Sequence, residues 1–326
     1  MKYNKIVWLF LVCLLLTGCG GNGQISEEQP KDVISADSNA VTGEEEIQQE
    51  DISKNSETPE EETEEVAEAQ MPTLDVGPAK LGEPRSSYGI GSASYLWGRN
   101  ILISVFVDTP ESSFTEKEQQ EALAKVKTAV TYIETQAQNY EVEAELVYDW
   151  SSDSNLKIED TVDFAINEKS HFWTRLDREI ARWYSEEISY EDLLSEYDAQ
   201  GLAIMVFVNN DGISYANVYD GMDSIQESLV LFTGDYYRPG MPETSVSYAH
   251  EILHVFGAHD LYEGAEYTAE VTDYIGKQYP REIMYTVSGS EGAQPIHNTL
   301  SPITAYHLGW VDEIEEVTLF PQLDRM

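Results

Sequence analysis

Apolar and polar positions follow several distinct rhythms between residues 100 and 310, and each rhythm predicts an element. Ile101 to Val107 is an almost unbroken apolar run, as expected of a strand covered on both faces. From Thr115 to Asn139, Leu123, Val126, Val130, Ile133 and Ala137 recur at steps of three and four, which predicts one apolar helix face. Val142, Ala144, Leu146 and Tyr148 alternate with Glu143 and Glu145, so Val142 to Tyr148 reads as a half-exposed strand. A second helix is expected from about Ser170 to Glu187, with Trp173, Leu176, Ile180 and Trp183 inward. Leu202 to Val208 reads as another buried strand, closed by the turn residues Asn209-Asn210-Asp211-Gly212. Ile213 to Tyr219 and Leu229 to Phe232 read as two further strands, and a helix is expected to start near Thr244 or Ser245. Ser301 before Pro302 is a sound start for a closing helix reaching Trp310. No internal repeat is visible. The order of elements predicts an α+β chain: a mixed sheet with helices packed on it, α/β-like in its first part, then a smaller, mainly helical or irregular part.

The beginning of the chain has none of these rhythms. Lys2 and Lys5 precede an apolar run, Ile6 to Leu16, that is too short to span a bilayer comfortably. The run ends in Leu16-Thr17-Gly18-Cys19, which resembles a bacterial lipoprotein signal; that resemblance implies removal of residues 1–18 and lipidation of Cys19. Cys13 lies in the part to be removed, so the remainder has no thiol available for a disulfide or a metal. No aromatic residue occurs between Phe10 and Tyr88, and residues 26–70 hold 16 Asp or Glu against Lys31 and Lys54. Such a segment buries too little apolar surface to offset its conformational entropy. Residues 19–87 are therefore expected to form a disordered acidic tether with a root-mean-square reach of roughly 45 Å. Residues 88–326 suit one domain. The net charge of -41 leaves no basic surface for nucleic acid and disfavours electrostatic attachment to anionic lipid. A membrane contact is expected through the lipid alone, on the extracytoplasmic face of a bacterial cell membrane. The chain is expected to act as a monomer.

Candidate chemistry is concentrated in His250-Glu251-Ile252-Leu253-His254-Val255-Phe256-Gly257-Ala258-His259-Asp260. Three of the six histidines fall within it. On a helix, residues four apart share a face, so His250 and His254 can address one metal ion while Glu251 sits beside them as a base. Gly257 can end that helix in the left-handed cap conformation, letting the chain fold back with a third ligand. His259 and Asp260 are both candidates for that ligand; adjacent residues in an extended turn point to opposite sides, so one of the two is expected to reach the metal.

H-E-x-x-H followed by Gly257 and Asp260 resembles the metzincin zinc peptidases, particularly the snapalysin and immune-inhibitor-A-like families with aspartate as third ligand. In the latter the motif commonly continues as Asp-x-Tyr, as Asp260-Leu261-Tyr262 does here. The resemblance implies a zinc site of His250, His254 and Asp260, with Glu251 as general base toward a metal-activated water. It implies a tight turn carrying a methionine under the metal, for which Met284 is the candidate. It does not extend to a metal-approaching tyrosine, since Tyr285 lies one position early. An edge strand around Ser214 to Tyr219 would pair with extended substrate. Leu300 to Trp310 looks like the closing helix of the immune-inhibitor-A-like families. The implied activity is that of a surface-anchored zinc endopeptidase acting on extracellular proteins or peptides. The alternative is a catalytically inactive lipoprotein of the same fold that serves as a binding module, although such a scaffold has no need of Glu251. A structural zinc site would usually supply four protein ligands, often cysteines. His171 is expected to be a surface or capping residue and His307 a packed or surface residue of the closing helix, while His297, in a loop after Pro295, is a candidate for lining the cleft.

Overall fold

The apolar run beginning at Ile101 forms the middle of strand β1 (Gly98–Asp108), an interior strand of a sheet in this computed structural model. The structure describes residues 96–324 apart from 168, 218–226, 266 and 288–291. The expected signal segment, Cys19, the tether and the first residues of the expected domain lie outside the described residues. β2 (Ala144–Val147) and β3 (Lys157–Thr161) share one edge of β1, pairing in parallel with its first and second halves. β4 (Gly201–Gly212) lies on the other side, in parallel register from Asn100 opposite Gly201 to Val107 opposite Val208. Next come β6 (Ser228–Asp235), also parallel, and finally β5 (Tyr215–Asn217), antiparallel to β6 at the far edge. Central parallel strands are buried on both faces, and Ile101–Val107 and Leu202–Val208 are buried throughout.

Helix α1 (Glu116–Asn139) places Leu123, Val126, Val130, Ile133 and Ala137 in the core. Thr115 starts it with a reciprocal capping box to Glu118, which satisfies two otherwise orphan amides. α2 (Trp173–Arg182) runs on into a π turn at Trp183–Glu187, and α3 (Tyr190–Tyr197) follows. α4 (Ser245–Val255) carries the histidine motif and packs on α1. Beyond it come α5 (Ala269–Gln278), α6 (Pro302–His307) and α7 (Glu315–Leu319), with no further strand among the described residues. The fold is α+β, with a six-stranded, mostly parallel sheet. No helix among the described residues is long and apolar enough to cross a membrane.

Several expectations need correction. Asn209-Asn210-Asp211-Gly212 does not close β4; the strand continues to Gly212 through a register shift after Val208. The asparagines bridge elements instead: Asn209 Nδ2 donates to the Ser113 carbonyl at 2.8 Å, and Asn209 Oδ1 accepts from the Thr233 hydroxyl at 2.9 Å. Gly212 is required by packing, since a Cβ there would collide with the Phe232 ring. The helix expected from Ser170 starts at Trp173, without a side-chain cap, and the Ser170 hydroxyl donates to the Ala165 carbonyl at 2.9 Å. The strand expected at Ile213–Tyr219 is β5 within its described part, and Val218 and Tyr219 lie outside the described residues. The closing helix stops at His307, where the chain turns through Gly309 at φ +77°. β3, α3, α5 and α7 were not anticipated.

Candidate metal centre

The N-terminus of α4 is fixed by three side chains. Thr244 accepts the Ser247 amide at 3.2 Å, while the buried Glu243 carboxylate accepts the Thr244 amide at 2.8 Å and the Ser247 hydroxyl at 2.7 Å. Acceptors at this end satisfy orphan amides and complement the helix dipole. Apart from His254, every residue of α4 is buried. The helix ends at Gly257 with φ +97°, where the Gly257 amide reaches the His254 carbonyl at 2.9 Å and the Ala258 amide reaches the Leu253 carbonyl at 3.1 Å. This pair of bonds is the Schellman closure that a glycine in left-handed conformation permits.

The closure aims the following residues back at the helix. His250 Nε2, His254 Nε2 and Asp260 Oδ1 form a triangle in which each of the three separations is 3.1 Å. Three donors at about 2.0–2.1 Å from a tetrahedral ion stand roughly 3.3–3.4 Å apart, so the triangle needs an adjustment of only a few tenths of an ångström. His250 Nδ1 donates to the Ile283 carbonyl at 3.0 Å, and His254 Nδ1 donates to the Ala258 carbonyl at 2.8 Å. A carbonyl only accepts, so in the neutral imidazoles the proton is on Nδ1 and the Nε2 lone pair is directed at the shared corner. The imidazole planes stand at 87° to each other. The group can hold a metal ion. The His254 side chain is 18 % exposed, against 7 % for His250 and 8 % for Asp260.

Electrostatics at the corner are dominated by opposing effects. Burial works against charge on both histidines, yet the Asp260 carboxylate outweighs it: His250 is raised, and His254 is pushed up to about 9. Burial also opposes the charge of Asp260, but the imidazoles hold its carboxyl far below the usual range. A bound divalent cation would replace this proton sharing, since it needs the same neutral imidazoles and ionised carboxylate. Glu251 is buried next to His250, and desolvation raises its carboxyl while the two histidines pull it back. A raised carboxyl is a better proton acceptor than an ordinary one.

His259 is placed elsewhere. Its Nδ1 lies 3.3 Å from the Tyr267 hydroxyl, and its ring centroid is 4.6 Å from that of His307. Met284 is fully buried in the turn at Glu282–Thr286, and its carbonyl accepts the Leu261 amide at 2.9 Å, next to Asp260. The Tyr285 hydroxyl lies against Gly276 of α5. His307 is buried on α6 near the Leu323 carbonyl, and His171 and His297 are exposed.

Two contributors were missed in the sequence. Tyr262 donates its hydroxyl to Asp260 Oδ2 at 2.8 Å, fixing the oxygen that the histidines do not touch. Its position two residues after Asp260 was visible, but not this role. Glu282 lies fully buried behind the Met284 turn, and no motif singled it out. No protein-family model matches the chain, and no curated protein is significantly similar to it.

Proposed function

We propose that the chain is a zinc-dependent endopeptidase of metzincin type that hydrolyses bonds in proteins or peptides. The observation that carries the reading is the triangle of two imidazoles and one carboxylate at 3.1 Å, with Glu251 on the same helix. Three protein donors with room for a further ligand are the mark of a catalytic rather than a closed structural zinc site. Zinc held there would supply Lewis acidity toward a peptide carbonyl and toward water.

The chain's own residues would do the rest. The Ile283 and Ala258 carbonyls keep His250 and His254 in the tautomer that donates through Nε2, and Tyr262 steadies the Asp260 carboxylate. Glu251 takes the proton from the attacking water and returns it to the departing amine. β5, an antiparallel edge strand, supplies backbone groups for an extended substrate, and the resemblance assigns Met284 to the turn beneath the metal. The reading includes a lipid anchor at Cys19 and a protein or peptide as sole macromolecular partner.

The test is digestion of a random peptide library by the purified full chain, with chelator and then with single divalent ions restored. Cleavage should stop with chelator and return with zinc, and Glu251→Gln should keep zinc but lose cleavage. One bound zinc with no cleavage of any library would establish the binding module instead.

A further inference from the structure

We infer that Glu282 is a positioning residue of the metal centre, its buried carboxylate setting the two peptide planes that aim His250 and the Asp260 segment. The inference rests on the ligand set used above. The Glu282 side chain is 0 % exposed. Its Oε2 accepts the Tyr285 amide at 2.9 Å, and the Met284 amide is also directed at the carboxylate. Its Oε1 accepts the Thr304 hydroxyl at 2.6 Å and the Ser301 amide at 3.4 Å, tying the turn to the first turn of α6.

Peptide groups are planar and trans, so the N–H and C=O of one plane point in opposite directions. The Met284 amide shares its plane with the Ile283 carbonyl, which accepts from His250 Nδ1 at 3.0 Å. The Tyr285 amide shares its plane with the Met284 carbonyl, which accepts from the Leu261 amide at 2.9 Å. Each plane therefore has its N–H on Glu282 and its C=O on a ligand-bearing segment. Fixing one end of a plane fixes the other. The side chain thereby helps aim two of the three donors, although it touches neither; the Tyr285 amide is shared with the Glu282 backbone carbonyl at 3.1 Å.

The setting argues against a purely structural role. Burial pushes the Glu282 carboxyl up to about 7. Tyr132 of α1, Tyr140 just beyond that helix and the His250 imidazole act on it. A glutamine would occupy the same volume without the cost of a buried charge. What glutamine lacks is a second acceptor oxygen, so it cannot hold both turn amides and both α6 donors.

The test compares wild type, Glu282→Gln and Thr304→Val in the full chain, measuring zinc affinity by competition with a chromogenic chelator and unfolding of the metal-free proteins. Metal-free Glu282→Gln should unfold at or above the wild-type midpoint at pH 8, while its zinc affinity falls at least tenfold, the usual loss when a group supporting a ligand is removed. Thr304→Val, nearly isosteric, frees Oε1 from its shortest bond and should weaken zinc several-fold; it decides the matter if the glutamine variant does not fold. Unchanged zinc affinity in the folded variants, with or without a lower unfolding midpoint, overturns the inference. A fall in zinc affinity supports it even if wild type cleaves no peptide, in which case only the peptidase reading fails. A wild type that binds no zinc overturns the ligand set and this inference with it.

Discussion

Replacing Asp260 or His259 by alanine separates the two candidates for the third donor, and the geometry sets the size of each effect. Asp260 Oδ1 stands 3.1 Å from both Nε2 atoms, so Asp260→Ala removes one corner of the triangle and the carboxylate that accepts the Tyr262 hydroxyl. Four-donor zinc sites bind with about 10–16 kcal/mol, or roughly 3 kcal/mol per donor, which is on the order of a hundredfold in affinity. His259→Ala removes ring contacts with His307 at 4.6 Å and Tyr267 at 6.3 Å. Such contacts contribute about 0.5–1.5 kcal/mol each, which in a domain of this size lowers Tm by roughly 2–4 °C per kcal/mol. The expected outcome is a crossed pattern: Asp260→Ala loses zinc and activity, whereas His259→Ala keeps both and melts a few degrees earlier. The assay is zinc stoichiometry by metal analysis after dialysis against a weak chelator, with melting curves of the metal-free proteins. If the His259 variant lost zinc and the Asp260 variant kept it, the assignment of the third donor would be wrong.

Three further outcomes are expected. Tyr262→Phe should weaken zinc about tenfold without lowering the metal-free Tm, because it frees the second Asp260 oxygen; unchanged chelator competition would show that the 2.8 Å bond does not support the ligand. Gly212→Ala should destabilise by about 1–3 kcal/mol through its collision with Phe232, read as a lower urea midpoint at constant slope, and an unchanged midpoint would deny the close approach. Glu282 has a folded pKa of about 7 against 4.5 ordinarily, so its share of stability is intact below 4.5 and is lost as pH rises through 7. The wild-type minus Glu282→Gln difference in metal-free unfolding free energy should therefore fall by about 3 kcal/mol over that window, and a flat difference would contradict the raised pKa.

What the sequence made legible is what local geometry dictates. The apolar runs at Ile101 and Leu202 predicted two buried central strands, since strands of a covered parallel sheet need no polar alternation. The steps of three and four in α1 and the Ser301-Pro302 start of α6 were readable for the same reason. β3 was not, because Lys157-Ile158-Glu159-Asp160-Thr161 has little apolar content and is held as a strand by pairing with β1. Asn209-Asn210-Asp211-Gly212 misled because its residue types favour turns, while its use here is tertiary: side-chain bridges to other elements and a glycine beneath an aromatic ring.

The same distinction divides the metal centre. His250 and His254 are four apart on one helix, and Gly257 closes that helix by bonds within six residues, so spacing alone exposes them. Asp260 follows within one turn of chain, and its competition with His259 is resolved only by packing, which draws His259 toward Tyr267 and His307. Glu282 lies 32 residues beyond His250 and acts through peptide planes pinned jointly by residues 301 and 304, so no local pattern can report it. Its buried charge is nonetheless a physical signal once coordinates exist. A fold that only needed to fill this space would be more stable with a neutral side chain near pH 8. Retaining a carboxylate whose free energy of ionisation opposes folding makes sense where both of its oxygens are needed to orient something else. Here each of the turn amides they hold is the reverse side of a carbonyl that aims part of the metal centre.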